Sequence, residues 1–365
     1  MSEWQIFCLK DLGKIVGGAT PPTNNPKNYG NKIAWITPKD LSTLQGRYIK
    51  KGSRNISRLG FKSCSCVLLP KHAILFSSRA PIGYVAIAEK RLCTNQGFKS
   101  IIPNKKIYFE FLYYLLKYHK DNISSIGGGT TFKEVSGATL GLFQVKIPPT
   151  YNEQQKIART LSVLDQKIEN NHKINELLHT LAYKIYEYYF KYKPKNAKLE
   201  QIIIENPKSN IMVKNAQKTQ DKYPFFTSGD NILSYPKAII DGRNCFLNTG
   251  GNAGIKFYVG KASYSTDTWC ICANEFSDYL YLLLSSIKNH INQSFFQGTS
   301  LKHLQKNLLK KYPIYMPSAH EIKKFNQIMM PLLTLISINT RTSKKLEQIR
   351  DFLLPLLLKQ QVKPK

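Results

Sequence analysis

Residues 153–178 read EQQKIARTLSVLDQKIENNHKINELL, and their apolar side chains recur at alternating steps of four and three residues. This spacing keeps one stripe of side chains on one side of a helix and is typical of a coiled-coil seam. The stripe extends beyond the quoted stretch and is interrupted once by asparagine. Its positions are Ile157, Leu161, Leu164, Ile168, Asn171, Asn175, Leu178, Ala182, Ile185 and Tyr189. We therefore predict a long helix over 151–195, with Asn152 as its N-cap.

A second seam follows 168 residues later, and its polar interruption falls at the matching place. Its positions are Phe325, Met329, Leu332, Ile336, Asn339, Ser343, Leu346, Arg350, Leu353 and Leu357. The matched polar layer favours pairing of the two helices with each other over packing of each helix on its own domain. A helix of ~40 residues spans ~60 Å, which suits a spacer. Pro331 and Pro355 lie inside the second stripe and predict a kink or an early end there.

The rest of the chain is duplicated at nearly the same offset. Gly129 and Pro148 align with Gly298 and Pro317, in each case 169 positions later (298 − 129 and 317 − 148). Each copy begins with short β-type runs separated by glycine and proline, then has an aromatic-rich helix, a Gly-Thr loop and a last strand. We predict an α+β fold with β-rich domains over 1–150 and 196–317 and long helices over 151–195 and 318–365. An approximate twofold axis between the copies predicts that the helices pack as an antiparallel coiled coil.

The charge balance indicates a polyanionic partner. The chain has 53 Lys and Arg against 23 Asp and Glu, a net charge of +30, while 42% hydrophobic residues suffice for folded cores. Release of counterions from phosphates by basic side chains supplies much of the affinity for DNA. The alternative is a lysine-rich proteome that makes every protein basic. A membrane partner is disfavoured, because the sequence has neither a basic amphipathic helix nor an anchor.

The seven cysteines predict a reducing cytoplasm without a disulfide framework. Their number is odd, no CxxC motif occurs, and the first residues, MSEWQIFCLK, lack an apolar leader. Cys64 and Cys66, and likewise Cys270 and Cys272, are spaced to share one face of a strand. Buried strand cysteines are favoured over zinc ligands, since zinc needs two pairs with a tighter turn between ligands. We predict no metal site.

Motifs for chemistry on DNA are missing from the sequence. No Asn/Asp-Pro-Pro-aromatic tetrapeptide for holding a flipped adenine occurs, and no GxxxxGK[ST] loop for ATP phosphates. The run 250–256, GGNAGIK, is interpreted as a tight turn or a close approach to DNA. We predict no catalytic residue and no cofactor. A stand-alone DNA-modifying enzyme with unfamiliar motifs is kept as an alternative.

Several stretches resemble the specificity subunits of type I restriction-modification systems. They are LGKIVGGATPP (12–22), ILFSSRAPIGYVAI (74–87), YPFFTSGDNIL (223–233), LNTGGNAGIKFYVGKASYSTDTW (247–269) and the helix quoted above. The resemblance implies two target recognition domains, each reading half of a split, asymmetric site in double-stranded DNA. It also implies that the helices dock two adenine methyltransferase subunits, which the nuclease and translocase subunits join. The second helix departs from the first, since it starts HEIKKFNQIM rather than NEQQKIARTL and is poorer in acidic and Gln residues, which bears on the strength of the second partner contact. An adaptor or anti-restriction protein that binds the methyltransferase without reading bases is the other alternative.

Loops of the two domains supply the candidate DNA contacts. Basic side chains give affinity and position, whereas a few Asn, Gln or Arg side chains read base edges. The candidates are Lys39, Arg47, Arg54, Arg58, Arg79 and Lys133 in the first domain, and Asn231, Arg243, Asn252, Lys256, Lys302 and His303 in the second. For each one the alternative is a turn-forming or solvated residue.

Overall fold

A computed structural model describes residues 3–79, 81–129, 133–216 and 222–364 of the chain. The chain forms two compact units, and each takes part of both long helices. Unit 1 comprises 1–170 together with 344–365, and unit 2 comprises 171–343. Among the described helices, none is long and apolar enough to cross a membrane.

The described part of unit 1 contains ten short strands around one helix of 17 residues. Its elements in chain order are β1 (Gln5–Cys8), α1 (Leu9–Leu12), β2 (Gly13–Gly17), β3 (Tyr29–Ile36), α2 (Pro38–Ser42), β4 (Tyr48–Ile49), β5 (Arg54–Ile56), α3 (Arg58–Lys62), β6 (Ile74–Phe76), β7 (Val85–Ala88), β8 (Cys93–Thr94), β9 (Lys99–Pro103), α4 (Phe109–Ser125), α5 (Gly137–Leu142), β10 (Gln144–Ile147) and the first part of α6 (Tyr151–Tyr186). The strands form a five-stranded sheet in the order β2-β9-β6-β7-β4, a three-stranded sheet β5-β3-β8 and the pair β1-β10. Apolar residues of α4 pack on the larger sheet and complete its core.

Unit 2 repeats this arrangement. Its elements are β11 (Ala197–Lys198), β12 (Ile204–Glu205), α7 (Val213–Ala216), β13 (Tyr223–Phe226), β14 (Ile232–Tyr235), β15 (Arg243–Asn248), β16 (Ile255–Val259), β17 (Ser263–Tyr264), β18 (Thr268–Cys272), α8 (Ser277–Ser286), α9 (Lys288–Ser294), β19 (Phe296–Gln297), β20 (His303–Leu304), α10 (Lys306–Lys310), β21 (Pro313–Ile314) and α11 (Ala319–Leu358), whose last part belongs to unit 1.

The sheet topology confirms the duplication. The order β12-β18-β15-β16 matches β2-β9-β6-β7, β14-β13-β17 matches β5-β3-β8, and β11-β21 matches β1-β10. Each three-stranded sheet contains one parallel pair at the matching place, β3 with β8 in unit 1 and β13 with β17 in unit 2, although most strand pairs are antiparallel. Agreement in order and direction extends the repeat from the aligned motifs to the whole of each copy. The predicted α+β class is confirmed.

The long helices pair antiparallel in unit 1. Ile157 and Leu161 of α6 share a buried cluster with Leu354 and Leu357 of α11. About one helical turn further along the pair, Arg350 donates to Asp165 Oδ1 at 2.7 Å. Residue numbers rise along one helix as they fall along the other, which is the predicted direction.

The polar layer of the seam lies in unit 2, where its members bond to one another. Asn171 Nδ2 donates to Ser343 Oγ at 3.1 Å, and Asn339 Nδ2 donates to Asn175 Oδ1 at 2.9 Å. Asn175 Nδ2 also reaches the carbonyl oxygen of Ile336 at 3.3 Å. This register is antiparallel as well. The apolar seam positions beside it are buried or half-buried: Leu178, Ile185, Phe325, Met329, Leu332 and Ile336. The remaining seam positions Leu164, Ile168, Leu346 and Leu353 are buried or half-buried in unit 1.

The predicted N-cap of the first long helix is wrong. Helix α6 begins at Tyr151, and its N-cap is Thr150, whose hydroxyl oxygen accepts the Glu153 N–H at 3.2 Å. Asn152 is therefore inside the first turn. Helix α11 has the same cap 168 residues later, since Ser318 Oγ accepts the Glu321 N–H at 3.3 Å and Glu321 accepts the Ser318 N–H at 2.9 Å.

The prolines inside the second stripe do not end the helix. Helix α11 runs from Ala319 to Leu358 as one element and includes both Pro331 and Pro355. Pro331 is exposed, and apolar neighbours such as Met329 and Leu333 are buried in the core of unit 2. Packing of these neighbours outweighs the loss of one backbone hydrogen bond per proline.

Candidate DNA interface

Three loops meet at one end of the sheets in unit 2 and form what we call loop cluster 2 (227–231, 248–254 and 298–303). The Gly251 N–H donates to the Lys302 carbonyl at 2.9 Å, and the Thr249 N–H donates to Ser228 Oγ at 3.1 Å. The Leu304 N–H donates to the Thr249 carbonyl at 3.0 Å. Backbone bonds between loops hold their tips in a fixed arrangement, which suits a surface that must match a rigid duplex.

A tight turn places Asn252 at the tip of loop cluster 2. Asn248 Nδ2 donates to the Asn252 carbonyl at 3.1 Å, and the Asn248 N–H donates to the Gly254 carbonyl at 2.9 Å. Gly251 has a φ of +78°, which only glycine adopts without strain. The turn uses the backbone of Asn252 and leaves its side chain exposed. The interpretation of the GGNAGIK run as a tight turn agrees with this geometry.

Lys256 is used inside unit 2. Its Nζ donates to the Thr227 carbonyl at 2.9 Å and to Asn248 Oδ1 at 3.0 Å, and burial lowers the pKa of the amine. The side chain ties the first loop of the cluster to the second. We therefore correct the assignment of Lys256 from a DNA contact to a support of the loops.

Unit 1 has an equivalent group of loops, loop cluster 1 (37–40, 77–79, 95–97, 127–129 and 133–134). The Ser78 N–H donates to the Gly97 carbonyl at 2.8 Å, and the Val135 N–H donates to the Ser78 carbonyl at 3.0 Å. Gly128 pairs with Glu134 as Gln297 pairs with His303 in unit 2. Residues 130–132, predicted as part of the contacting loop together with Lys133, lie outside the described residues.

The first loop of cluster 1 is a capped turn. Asp40 accepts the Thr37 N–H at 2.7 Å and the Ser53 N–H at 2.7 Å. Burial raises the pKa of Asp40, but the hydrogen bonds from Ser53 and Thr37 outweigh it and leave the pKa below its ordinary value. The ionised carboxylate thus fixes the turn that carries Lys39, whose side chain is exposed.

Arg54 is the predicted reader whose side chain is best held in place. Its guanidinium carbon lies 3.4 Å from the centroid of the Tyr29 ring, and the Tyr29 hydroxyl donates to the Pro21 carbonyl at 3.1 Å. Arg54 is exposed on β5. Stacking on an aromatic ring fixes the orientation of the planar guanidinium, as bidentate contact with guanine requires.

The other predicted residues divide by burial. Those with exposed side chains are Lys39, Arg54, Arg58, Lys133, Asn231, Asn252, Lys302 and His303. Arg79 is partly exposed and lies 3.6 Å from Glu134. Arg58 begins α3, which packs beside β3 and β5 rather than in the loops of cluster 1. The remaining two arginines are in a different environment.

Arg47 is buried and Arg243 is mostly buried, and their assignment as DNA contacts is corrected. Arg47 is 4% exposed and lies 3.0 Å from Glu110 and 3.1 Å from Glu169. Arg243 forms a two-pronged ion pair with the buried Asp278. Both guanidinium groups form ion pairs with carboxylates of their own unit.

Gln96 of loop cluster 1 was not selected from the sequence. It is exposed, and its Oε1 accepts the Thr20 hydroxyl proton, which orients the amide. A Gln amide held in this way has the groups needed to pair with adenine. The available sequence signal for Gln96 was its position in NQGFKS, between Asn95 and Gly97, whose backbone hydrogen bonds hold the loop. Among the described residues, no three His, Cys, Asp or Glu side chains lie close enough to hold a metal ion.

The chain thus has two α+β copies, each with a loop cluster that carries exposed polar side chains. Residues 1–180 and 195–348 match the family described as "Type I restriction modification DNA specificity domain". The chain is 32% identical to the type I restriction enzyme MjaIX specificity subunit of Methanocaldococcus jannaschii, over 98% of this chain and 93% of that protein. It is 31% identical to the type I restriction enzyme HindI specificity subunit of Haemophilus influenzae, over 46% of this chain and 37% of that protein. The chain belongs to the type I restriction-modification DNA specificity family.

A solved structure supports the fold. The crystal structure of a type I restriction-modification S subunit from M. genitalium covers 98% of this chain and 96% of its own, with a TM-score of 0.65 and 18% sequence identity. At this identity the likeness concerns the fold. It agrees with the two sheet-bearing copies and the two long helices described above.

Proposed function

We propose that the chain reads a split DNA target, one half with loop cluster 1 and the other half with loop cluster 2. The observation that carries this proposal is the presence, in each unit, of exposed side chains able to pair with bases on loops fixed by backbone bonds. Gln96 is in loop cluster 1 and Asn231 and Asn252 are in loop cluster 2, whereas the exposed Arg54 of unit 1 lies on β5 against Tyr29. The net charge of +30 supplies affinity for phosphates of any sequence.

The long helices are proposed to dock two methyltransferase subunits. In unit 2, apolar side chains are exposed on both helices: Ile174, Leu177 and Leu181 on α6, and Ile328, Leu335 and Ile338 on α11. Ile174 and Leu181 are seven residues apart, as are Ile328 and Leu335. Each of these four residues stands immediately before a seam position in the sequence. In an antiparallel pair such positions lie along the same edge of the seam. An apolar stripe on two adjoining helices suits a protein partner.

Unit 1 exposes fewer large hydrophobic side chains on its helical part: Tyr151, Val163, Ile349 and Phe352. This difference supports unequal contacts with the two methyltransferase subunits. Nuclease and translocase subunits would join through the methyltransferases, and the chain itself would contribute no catalytic residue or cofactor. A reducing cytoplasm is the proposed location, and all seven cysteines are free thiols.

The test is a reconstitution with purified methyltransferase subunits. The complex is incubated with S-adenosylmethionine and plasmid DNA, and methylated adenines are mapped by sequencing. The expected result is a two-part recognition sequence with a fixed spacer and no turnover by this chain alone. A single unbroken site would contradict the proposal, and turnover without partners would favour a stand-alone enzyme.

A second measurement distinguishes the adaptor alternative. An adaptor would bind methyltransferase without binding DNA by sequence. Salt-titrated binding to matched and scrambled duplexes should show steep salt dependence for both and tighter binding to the matched duplex. Equal affinity for the two duplexes would favour the adaptor.

A further inference from the structure

In unit 1, a buried guanidinium joins the sheet-bearing part to the long helix. Arg47 lies in the turn before β4, the edge strand of the large sheet. Its Nη1 is 3.0 Å from Glu110 Oε1 on α4, and its Nε is 3.1 Å from Glu169 Oε1 on α6. Tyr48 donates its hydroxyl proton to Glu110 at 2.5 Å. The guanidinium therefore bridges the sheet edge, the domain's own helix and the long helix.

Unit 2 has a comparable bridge. Arg243 is the first residue of β15, and its Nε and Nη2 contact the two carboxylate oxygens of Asp278 on α8, each at 2.6 Å. Its Nη1 donates to Thr334 Oγ1 at 2.9 Å, and its Nη2 donates to the Met330 carbonyl at 3.3 Å, both on α11. Asp278 is 1% exposed. Sheet, domain helix and long helix again meet at one guanidinium.

The helix side of the two bridges is duplicated, whereas the arginines are not. Glu110 and Asp278 are 168 positions apart, and each is the second residue of its helix. Glu169 and Ser337 are also 168 apart on the long helices. Glu169 Oε1 accepts the Arg47 N–H at 2.9 Å, and Ser337 Oγ accepts the Val259 N–H at 3.0 Å.

The arginines come from unrelated places in the two copies, one before β4 and one at the start of β15. The two copies thus have a carboxylate at the same position of the domain helix, and this carboxylate pairs with an arginine from a different position of the fold in each copy. Buried ion pairs contribute little net stability compared with apolar packing, but a planar guanidinium with several partners fixes direction as well as distance. These bridges are therefore better suited to holding an orientation than to stabilising the fold.

We infer that Arg47 and Arg243 are positioning residues that hold each recognition domain in one orientation on its long helix, and thereby set the spacer length that the complex accepts. This inference rests on the proposed function. One base pair of spacer corresponds to about 3.4 Å along the DNA axis. In unit 2 the loop at 248–254 follows the end of β15 opposite Arg243, so tilting of the domain on its helix would move loop cluster 2 by such a distance.

The experiment measures methylation by the reconstituted complex on duplexes whose spacer has the native length or is one base pair longer or shorter. Arg243→Lys keeps the charge but cannot form the two-pronged contact. Arg243→Met/Asp278→Leu removes both charges, so that no unpaired carboxylate stays buried. Lys310→Met is the matched control, since it breaks an ion pair with Glu205 within unit 2 and away from the long helices.

For the double variant, the ratio of methylation rates on native and altered spacers should fall about tenfold or more, equivalent to about 1.4 kcal/mol of discrimination. Arg243→Lys should give a smaller fall in the same direction, and Lys310→Met should keep the wild-type ratio. Thermal unfolding and copurification of methyltransferase establish that each variant is folded.

Two results would overturn the inference while leaving the proposed function intact. One is a folded double variant and a folded Arg243→Lys that both keep the wild-type spacer ratio. The other is an equal loss of methylation at all three spacers. If the wild-type complex methylates no two-part site at all, the proposed function fails and this inference fails with it.

Discussion

At the scale of residues, burial rather than formal charge decides what a basic side chain does. Arg47 and Arg54 are seven positions apart, yet one is enclosed by carboxylates and the other lies exposed on an aromatic ring. The enclosed guanidinium has its donors satisfied within the protein, whereas the exposed one has donors left for a base edge. The same division separates Arg243 from Asn252 in unit 2.

We predict that Arg54→Ala relaxes recognition at one base pair. Loss of a bidentate contact with guanine costs about 1–3 kcal/mol at that position and little elsewhere. Binding of the reconstituted complex to duplexes that differ at single positions of one half-site measures this. Lys39→Ala is the control, since loss of one phosphate contact should weaken all duplexes alike and lower the salt slope by about 1. An equal loss on every duplex for Arg54→Ala would refute its role as a reader.

The sequence predicted which loops carry candidate side chains. It did not predict which of those side chains can contact DNA and which bond to groups within their own unit. Arg47 meets Glu110 and Glu169, which are 63 and 122 positions away in the chain. Such partners are brought together only by the tertiary fold, so charge and local motif could not reveal them. Lys256 was assigned to DNA instead of to the support of the loops for the same reason, because its acceptors belong to neighbouring loops.

At the scale of elements, the paired helices combine an apolar seam with a polar layer. The bonds of Asn171 to Ser343 and of Asn175 to Asn339 satisfy side chains that would otherwise be poorly solvated between helices. Polar residues at seam positions weaken packing but specify register. The layer therefore fixes how far one helix section is shifted along the other within unit 2.

We predict that Asn175→Leu destabilises the protein by about 1–3 kcal/mol, because it leaves Asn339 without its acceptor. Asn175→Leu/Asn339→Leu should recover much of this loss, since two leucines can pack where two amides bonded. Thermal and denaturant unfolding measure both, and the difference gives the coupling energy. Asn170→Leu, on the exposed side of the same helix, should change stability by no more than about 0.5 kcal/mol. Additive effects of the two seam substitutions would contradict a direct contact.

The cap of α11 predicts a pH dependence. Hydrogen bonds from the Ser318 backbone and from Tyr315 lower the pKa of Glu321 below its ordinary value. A carboxylate with a lowered pKa in the folded state stabilises above its unfolded pKa of about 4.3 and loses this contribution as the pH falls through the folded pKa. The unfolding temperature of Glu321→Gln should therefore lie below that of the wild type at neutral pH and converge with it in acid. A constant gap across this range would exclude the ionised carboxylate as the cause.

The helices could be predicted almost completely, but their ends could not. The alternation of four and three residues reports directly on one helical face, and the structure follows it over both seams. The choice of Asn152 as N-cap failed because Thr150 is also a capping residue and lies two positions earlier. The pattern Thr-x-x-Glu, repeated 168 residues later as Ser-x-x-Glu, was the available signal.

At the scale of the whole molecule, the duplication gives each unit its own loop cluster. Sheet order, strand direction and the pairing of Gly128 with Glu134 or Gln297 with His303 all repeat. The shared parts are scaffold, and the side chains on the loops differ between the copies. A chain built in this way can change one half of its target without disturbing the other.

We predict that loop substitutions act on one half-site each. Asn252→Ala should relax methylation only in the half read by unit 2, and Arg54→Ala only in the other half. Sequencing of methylated adenines in cells that carry each variant with its methyltransferase gives both recognition sequences at once. Relaxation of both halves by a single substitution would contradict independent reading.

The assignment of residues 344–365 to unit 1 has a consequence for biosynthesis. The core of this unit contains Leu354, Leu357 and Leu358 beside residues from the first 161 positions. Unit 2 is one continuous stretch and has all its residues once translation has passed Ser343. The unit that is begun first on the ribosome is thus completed last, and until Leu358 has emerged its apolar surface is left for chaperones to shield.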